Sequence, residues 1–80
     1  MSRDQIMENL QDIYREVFDD EEMLLSEEMT EDDIEEWDSL THLRLIMQVE
    51  KAFSIKFSTT QIKGLTSVGS FVDAIESELQ

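Results

Sequence analysis

Three stretches of the chain repeat apolar residues every three or four positions, and this spacing limits the folds that the chain can adopt. One helix is predicted over residues 3–17, a second over residues 40–53, and a third after Thr66 or Ser67. A period near 3.6 residues places the apolar side chains of each stretch on one side of a helix. The residues that define the first and last helices are Ile6, Leu10, Ile13 and Val17, and Val68, Phe71, Val72, Ile75 and Leu79. The sequence therefore predicts an all-α fold.

A further short helix is predicted near residues 58–63, where Gly64 suits the C-terminal end. The best candidate for a strand, residues 53–57, is short and has no partner segment. A chain of 80 residues is the size of one small domain. We expect a single domain over residues 1–80, a bundle of three main helices and one short helix with a long first loop.

The long first loop, residues 19–38, combines many acidic residues with apolar ones. A disordered linker would lack the apolar residues, so we expect them to hold the loop against the helices. They are Met23, Leu24, Leu25, Met29, Ile34 and Trp37. The run from Thr30 to Asp33 resembles a capping box and could begin one helical turn. The acidic runs lack the alternating ligands and central glycine of a calcium loop, so we expect no calcium-sensor site, although weak divalent binding stays open.

The charge of the chain restricts its partners. It has 20 acidic and 6 basic residues, a net charge of -14, and this surface repels the phosphates of nucleic acids and anionic lipids. We therefore expect protein partners with basic patches. There is no cysteine, so the chain supplies no thiolate for catalysis or metal binding. Its small size argues against an enzyme, and the absence of a signal peptide or bilayer-spanning stretch favours the cytoplasm.

The second helix has a wider apolar arc than one core-facing stripe needs. Its apolar residues are Ile46, Val49 and Phe53 on one side, Leu40, Leu43 and Met47 on an adjoining side, and Leu45 and Ala52 beyond. We expect Leu40, Leu43 and Met47, here called the apolar stripe, to stay partly accessible as a docking surface. The alternative is that the long loop covers the whole arc.

Ser39 lies at the start of this helix, where Asp38 or Ser39 itself is a natural N-cap. Free backbone N–H groups and the helix dipole would stabilise a phosphodiester on the Ser39 hydroxyl by about 0.3–1 kcal/mol. The run Asp38-Ser39-Leu40 opening an amphipathic helix in an acidic chain of this length resembles an acyl carrier protein. The resemblance covers nearly the whole chain and includes the first helix, the long loop, residues 50–57 and residues 65–71.

This resemblance implies that Ser39 carries a covalent 4'-phosphopantetheine, with Asp38 and Leu40 beside it. A phosphopantetheinyl transferase would attach the group, and its thiol would hold an acyl or aminoacyl unit as a thioester. The implied partners are an adenylating enzyme that loads the carrier and a ketosynthase or acyltransferase. We expect the carrier itself to be a monomer. The partner-binding residues would be Leu40, Leu43, Arg44, Met47 and Glu50.

Two features differ from the carriers of fatty acid synthesis. The second helix has few acids, because His42, Arg44, Gln48 and Lys51 interrupt the pattern, and Trp37 precedes the motif where a smaller residue is common. We therefore expect a carrier with dedicated partners in a fatty acid, polyketide or other specialised lipid pathway. His42 has no orienting partner in the sequence and is predicted to be solvated rather than catalytic. The alternative function is an acidic interaction module without a prosthetic group.

Overall fold

The computed structural model describes residues 1–80 and contains four helices. They are α1 (Arg3–Val17), α2 (Ser39–Phe53), α3 (Thr59–Lys63) and α4 (Val68–Leu79). Helix α1 packs against both α2 and α4. There is no strand, and Thr30 and Ser67 form one isolated antiparallel bridge. The predicted all-α fold is confirmed, and α1 has the limits that its apolar spacing indicates.

Every helix begins with a capping box. The N-cap and N3 pairs are Ser2 and Gln5, Asp38 and Thr41, Ser58 and Gln61, and Ser67 and Ser70. In each pair the N-cap side chain accepts a hydrogen bond from the N3 backbone, and the N3 side chain accepts one from the N-cap backbone. These bonds satisfy amides that have no partner within the helix, so local sequence sets where each helix starts.

The core is formed entirely by hydrophobic residues, and no charged side chain is buried. The 17 buried residues are Ile6, Leu10, Ile13, Tyr14, Val17, Ile34, Trp37, Leu45, Ile46, Val49, Phe53, Phe57, Leu65, Val68, Phe71, Val72 and Ile75. Tyr14 lies in the middle of an aromatic cluster, with ring centroids 5.7 Å from Phe18, 5.4 Å from Trp37 and 6.2 Å from Phe71. Its buried hydroxyl has no hydrogen-bond partner.

The long loop is held against α1 and the core. Ile34 and Trp37 are buried, while Met23, Leu25 and Met29 are half-buried against the core. The Arg15 guanidinium donates to the Met23 carbonyl (2.8 Å), and the Leu25 N–H donates to the Gln11 side chain (2.9 Å).

Two predictions about this loop are corrected. Leu24 was expected to anchor the loop, but its side chain is 74 % exposed, because the neighbouring Met23 and Leu25 make the contacts with the core instead. The segment from Thr30 to Asp33 forms a turn rather than a helical turn. The Asp33 carboxylate accepts from the Thr30 N–H at 2.9 Å, which is one half of a capping box without the helix.

The middle of the loop is also tied to α4. The N–H groups of Val68 and Gly69 donate to the carbonyls of Met29 and Glu27, each at 2.9 Å. The backbones approach so closely that a Cβ at Gly69 would lie 3.0 Å from the Glu27 carbonyl oxygen, which favours glycine there.

Arg3 joins the first helix to the same region. Its guanidinium pairs with the carboxylates of Glu27 (2.5 Å), Asp73 (2.9 Å) and Glu76. The hydrogen bond from Arg3 holds the pKa of the Glu27 carboxyl below its ordinary value. One side chain therefore links α1, the loop and α4.

Candidate functional site

Asp38 fixes the start of α2. Its carboxylate accepts hydrogen bonds from the N–H groups of Leu40 and Thr41, each at 3.0 Å, and its own N–H donates to the Thr41 hydroxyl oxygen at 2.8 Å. These hydrogen bonds hold the pKa of the Asp38 carboxyl below its ordinary value, and the bond from the Thr41 N–H has the largest effect. Thr41 also donates to the Glu36 carbonyl at 2.8 Å. Thr41 was not among the predicted site residues, although a polar side chain three residues after an aspartate N-cap can complete a capping box.

Ser39 is the first residue of α2, and its side chain is exposed. The capping bonds at this end of the helix all involve Asp38 and Thr41, so the Ser39 hydroxyl is free of internal hydrogen bonds. A free, exposed hydroxyl at a fixed position is accessible to a second protein and can be esterified without unfolding the helix.

The capping arrangement corrects one part of the expected electrostatics. We expected free N–H groups at the start of α2 to stabilise a phosphodiester on Ser39. The Leu40 and Thr41 amides already donate to the Asp38 carboxylate, whose negative charge lies on the same turn. Any stabilisation of a phosphodiester is therefore smaller than the sequence predicted, since the helix dipole is partly compensated by Asp38.

His42 is not a solvated histidine, so that prediction is wrong. Its side chain is half-buried, its ring is stacked on Trp37 with centroids 6.1 Å apart, and its Nδ1 atom accepts from the Trp37 indole N–H at 3.0 Å. Trp37 is buried, and its N–H needs an acceptor there. The pair fastens the last loop residues to the first turn of α2.

The apolar stripe predicted on α2 is exposed. Leu40, Leu43 and Met47 have 68 %, 58 % and 68 % of their surfaces accessible. The opposite side of the helix is buried through Leu45, Ile46, Val49 and Phe53. The long loop therefore does not cover the whole arc, and large apolar side chains start beside Ser39 and continue along the helix.

Arg44 and Glu50 were predicted to bind partners together with the stripe. Arg44 is exposed and forms no salt bridge with another residue of the chain. Glu50 is half-buried, and its carboxylate accepts from the Phe57 N–H at 2.8 Å, which holds the turn after α2. Partner binding by Glu50 stays a prediction, but this carboxylate already has a structural role.

Comparison with known proteins identifies the class of site. A solution NMR structure of a holo acyl carrier protein from Geobacter metallireducens is 37 % identical in sequence. The similarity covers 91 % of this chain and 84 % of that one, with a TM-score of 0.85. A family model described as a phosphopantetheine attachment site matches residues 8–75. The chain belongs to this carrier family. No curated protein sequence matches it significantly.

Membership of the carrier family determines the type of protein and its prosthetic group. The chain is an acyl carrier protein that bears a covalently attached 4'-phosphopantetheine, and it is not itself an enzyme. The alternative of an interaction module without a prosthetic group is therefore wrong. Carriers of this family act through partner enzymes such as a phosphopantetheinyl transferase and synthases. None of the four helices has the length and hydrophobicity to cross a membrane.

The residues at the start of α2 fit the prosthetic group. Ser39 offers an exposed, unbonded hydroxyl, and no side chain of the bundle closes over it. Leu40 and Leu43 provide apolar surface beside it without burying it. When bound, the group supplies a terminal thiol that carries an acyl unit as a thioester, a function that this cysteine-free chain cannot provide itself.

Proposed function

We propose that Ser39 is the residue that carries phosphopantetheine and that Asp38 and Leu40 flank the attached group. The observation that supports this most strongly is the free Ser39 hydroxyl on the first turn of a capped helix. The chain has eight serines, and the other seven differ in this respect. Ser2, Ser58, Ser67 and Ser70 use their hydroxyls in capping boxes, whereas Ser26, Ser54 and Ser77 do not begin a helix.

The chain contributes position rather than acid–base chemistry to the attachment. The Asp38 carboxylate is engaged by two backbone amides, and the Nδ1 atom of His42 is engaged by the Trp37 indole. Neither group hydrogen-bonds to the Ser39 hydroxyl. When the Ser39 oxygen attacks the phosphorus of coenzyme A that bears the pantetheine, the pyrophosphate bond breaks, adenosine 3',5'-bisphosphate leaves, and the serine proton goes to a base on the transferase.

Attachment is tested by incubating the apo-protein with coenzyme A and a promiscuous phosphopantetheinyl transferase and measuring the intact mass. The wild type should gain the mass of one phosphopantetheine, and Ser39→Ala should gain none. Ser26→Ala is the matched control, because Ser26 is also exposed and free but lies in the loop, and it should be loaded like the wild type. An equal gain in Ser39→Ala would refute the assignment.

We further propose that this carrier serves a dedicated pathway and delivers acyl or aminoacyl units to its own set of enzymes. These enzymes are a loading enzyme that adenylates the acid and a ketosynthase or acyltransferase. The exposed surface of α2 supports this proposal, because it presents Arg44, Gln48 and Lys51 beside the apolar stripe and no unengaged acid.

The dedicated role is tested with the holo-carrier and purified enzymes of general fatty acid synthesis. Loading and elongation should be slow relative to a carrier of that system at equal concentration. Efficient elongation on this protein would contradict the dedicated role and leave the attachment at Ser39 untouched.

A further inference from the structure

The charge of this acidic protein changes sign along the chain. Residues 39–72 contain four basic residues, Arg44, Lys51, Lys56 and Lys63, and a single acid, Glu50, for a net charge of +3. The remaining residues contain 19 acids and two bases. The second and third helices therefore differ in charge from the loop that precedes them and from the end of α4.

Two of these basic residues lie on the same ridge of α2 as the apolar stripe. Leu40, Arg44, Met47 and Lys51 follow one another at intervals of four, three and four residues, which places them in one row along the helix. All four side chains are exposed, and the row lies opposite the buried side of α2. Apolar and positively charged residues thus alternate along the outward ridge.

No acid of the chain neutralises this ridge. All three salt bridges of the structure belong to Arg3, so Arg44 and Lys51 have no ionic partner. The only acid of α2, Glu50, directs its carboxylate to the Phe57 N–H at 2.8 Å. Because the screening length is about 8 Å at physiological salt, a docked surface responds to these local charges more than to the net charge of the protein.

We propose that the ridge Leu40, Arg44, Met47 and Lys51 is the docking surface for a partner enzyme whose own site is an apolar pocket rimmed by acidic residues. The proposal rests on the attachment at Ser39, since the ridge begins at the next residue and directs the partner to it. It reverses the expectation from the net charge, which favours partners with basic patches. The acidic loop then repels an acidic partner from the other side of Ser39 and orients its approach.

The proposal is tested with two amphipathic helical peptides that share a leucine face, one flanked by glutamates and the other by lysines. Each is titrated into the holo-carrier while backbone amide shifts are recorded by NMR. The glutamate peptide should perturb residues 40–51, and the lysine peptide should perturb the acidic loop, residues 19–38. Raising the salt concentration should weaken both.

Charge-reversal variants separate contact from net charge. The double variant Arg44→Glu with Lys51→Glu should lower the affinity of the carrier for the glutamate peptide by about tenfold or more, since two attractive contacts become repulsive. The matched control, Lys56→Glu with Lys63→Glu, changes the net charge equally but lies off the ridge, and should change affinity by no more than about twofold. Both pairs are exposed, so the bundle should fold normally.

Three results would overturn the acidic character of the partner. They are a lysine peptide that binds residues 40–51 more tightly than the glutamate peptide, equal losses in the two double variants, and a carrier that dimerises through this ridge in sedimentation experiments. Each protein is first checked for loading by intact mass. Loading of Ser39→Ala would refute the attachment proposal, whereas normal loading with any of the three results would refute only the acidic partner.

Discussion

Replacing Tyr14 by phenylalanine should make the carrier more stable. The substitution removes one oxygen atom that is fully buried and has no hydrogen-bond partner, and it keeps the ring that contacts Phe18, Trp37 and Phe71. An unpaired buried hydroxyl costs about 1–3 kcal/mol, so we expect a gain of about 1 kcal/mol or more. For a domain of this size, that gain raises the melting temperature by about 4–8 °C.

Urea unfolding followed by tryptophan fluorescence measures this gain. Trp37 is the only tryptophan, and its ring lies edge-on to Tyr14 at 5.4 Å, so its emission reports the integrity of the aromatic cluster. The midpoint should rise while the slope stays unchanged. Tyr14→Leu is the control, since it also removes the hydroxyl but loses the ring contacts, and it should be less stable than Tyr14→Phe. A Tyr14→Phe protein no more stable than the wild type would show that the hydroxyl is satisfied.

Alkaline pH provides an independent check on the same residue. Burial raises the pKa of Tyr14 well above its ordinary value of 10.0. When folding raises the pKa of a group, the free energy of unfolding keeps its full value below the unfolded pKa and decreases as the pH rises through the folded pKa, because ionisation favours the unfolded chain. The wild type should therefore lose stability relative to Tyr14→Phe above a pH of about 10. The chain has no other tyrosine, and its lysines are the same in both proteins.

Substitutions at three further residues test the contacts around the site and the loop. Asp38→Ala should lower the melting temperature at neutral pH. Folding lowers the pKa of the Asp38 carboxyl, so the stability that the carboxylate contributes is present above the unfolded pKa and is lost as the pH falls through the folded pKa. The stability advantage of the wild type over Asp38→Asn should therefore shrink in acid. His42→Phe leaves the buried Trp37 N–H without an acceptor and should cost about 1 kcal/mol in urea unfolding, while His42→Gln should recover part of that loss. Arg3→Met should accelerate hydrogen exchange of the Gly69 amide, because this amide donates to the carbonyl of Glu27, the residue that Arg3 holds. An unchanged exchange rate would show that the ion pairs of Arg3 do not stabilise this contact.

The helices could be predicted from the sequence because their signals are local. Apolar spacing set the limits of α1, and the serine, aspartate and glycine residues at the helix ends set the starts of α2 and α4 and the end of α3. The exposed stripe was also predictable, since the apolar arc of α2 is too wide for one buried face. These inferences need only the period of a helix and the chemistry of its ends.

The contacts that join distant segments could not be predicted in this way. Arg3 meets Glu27 and Glu76, which are 24 and 73 positions away, and nothing in the sequence indicates which of 20 acids it selects. The Trp37–His42 hydrogen bond depends on how the loop enters α2, and the engagement of Glu50 with Phe57 depends on the turn at Ser54. Such contacts follow from the packed bundle.

The bonds from Val68 and Gly69 to the loop determine where the chain can be lengthened. Two amides at the start of α4 depend on the carbonyls of Met29 and Glu27, so an insertion within residues 27–30 would remove partners from a helix almost forty residues further along. Residues 19–22 have only exposed side chains and provide no such bonds to α4. A fluorescent tag or a second domain inserted at residues 19–22 should leave the fold of the bundle and the position of Ser39 unchanged. Two segments of the same acidic loop therefore differ in their tolerance of an insertion.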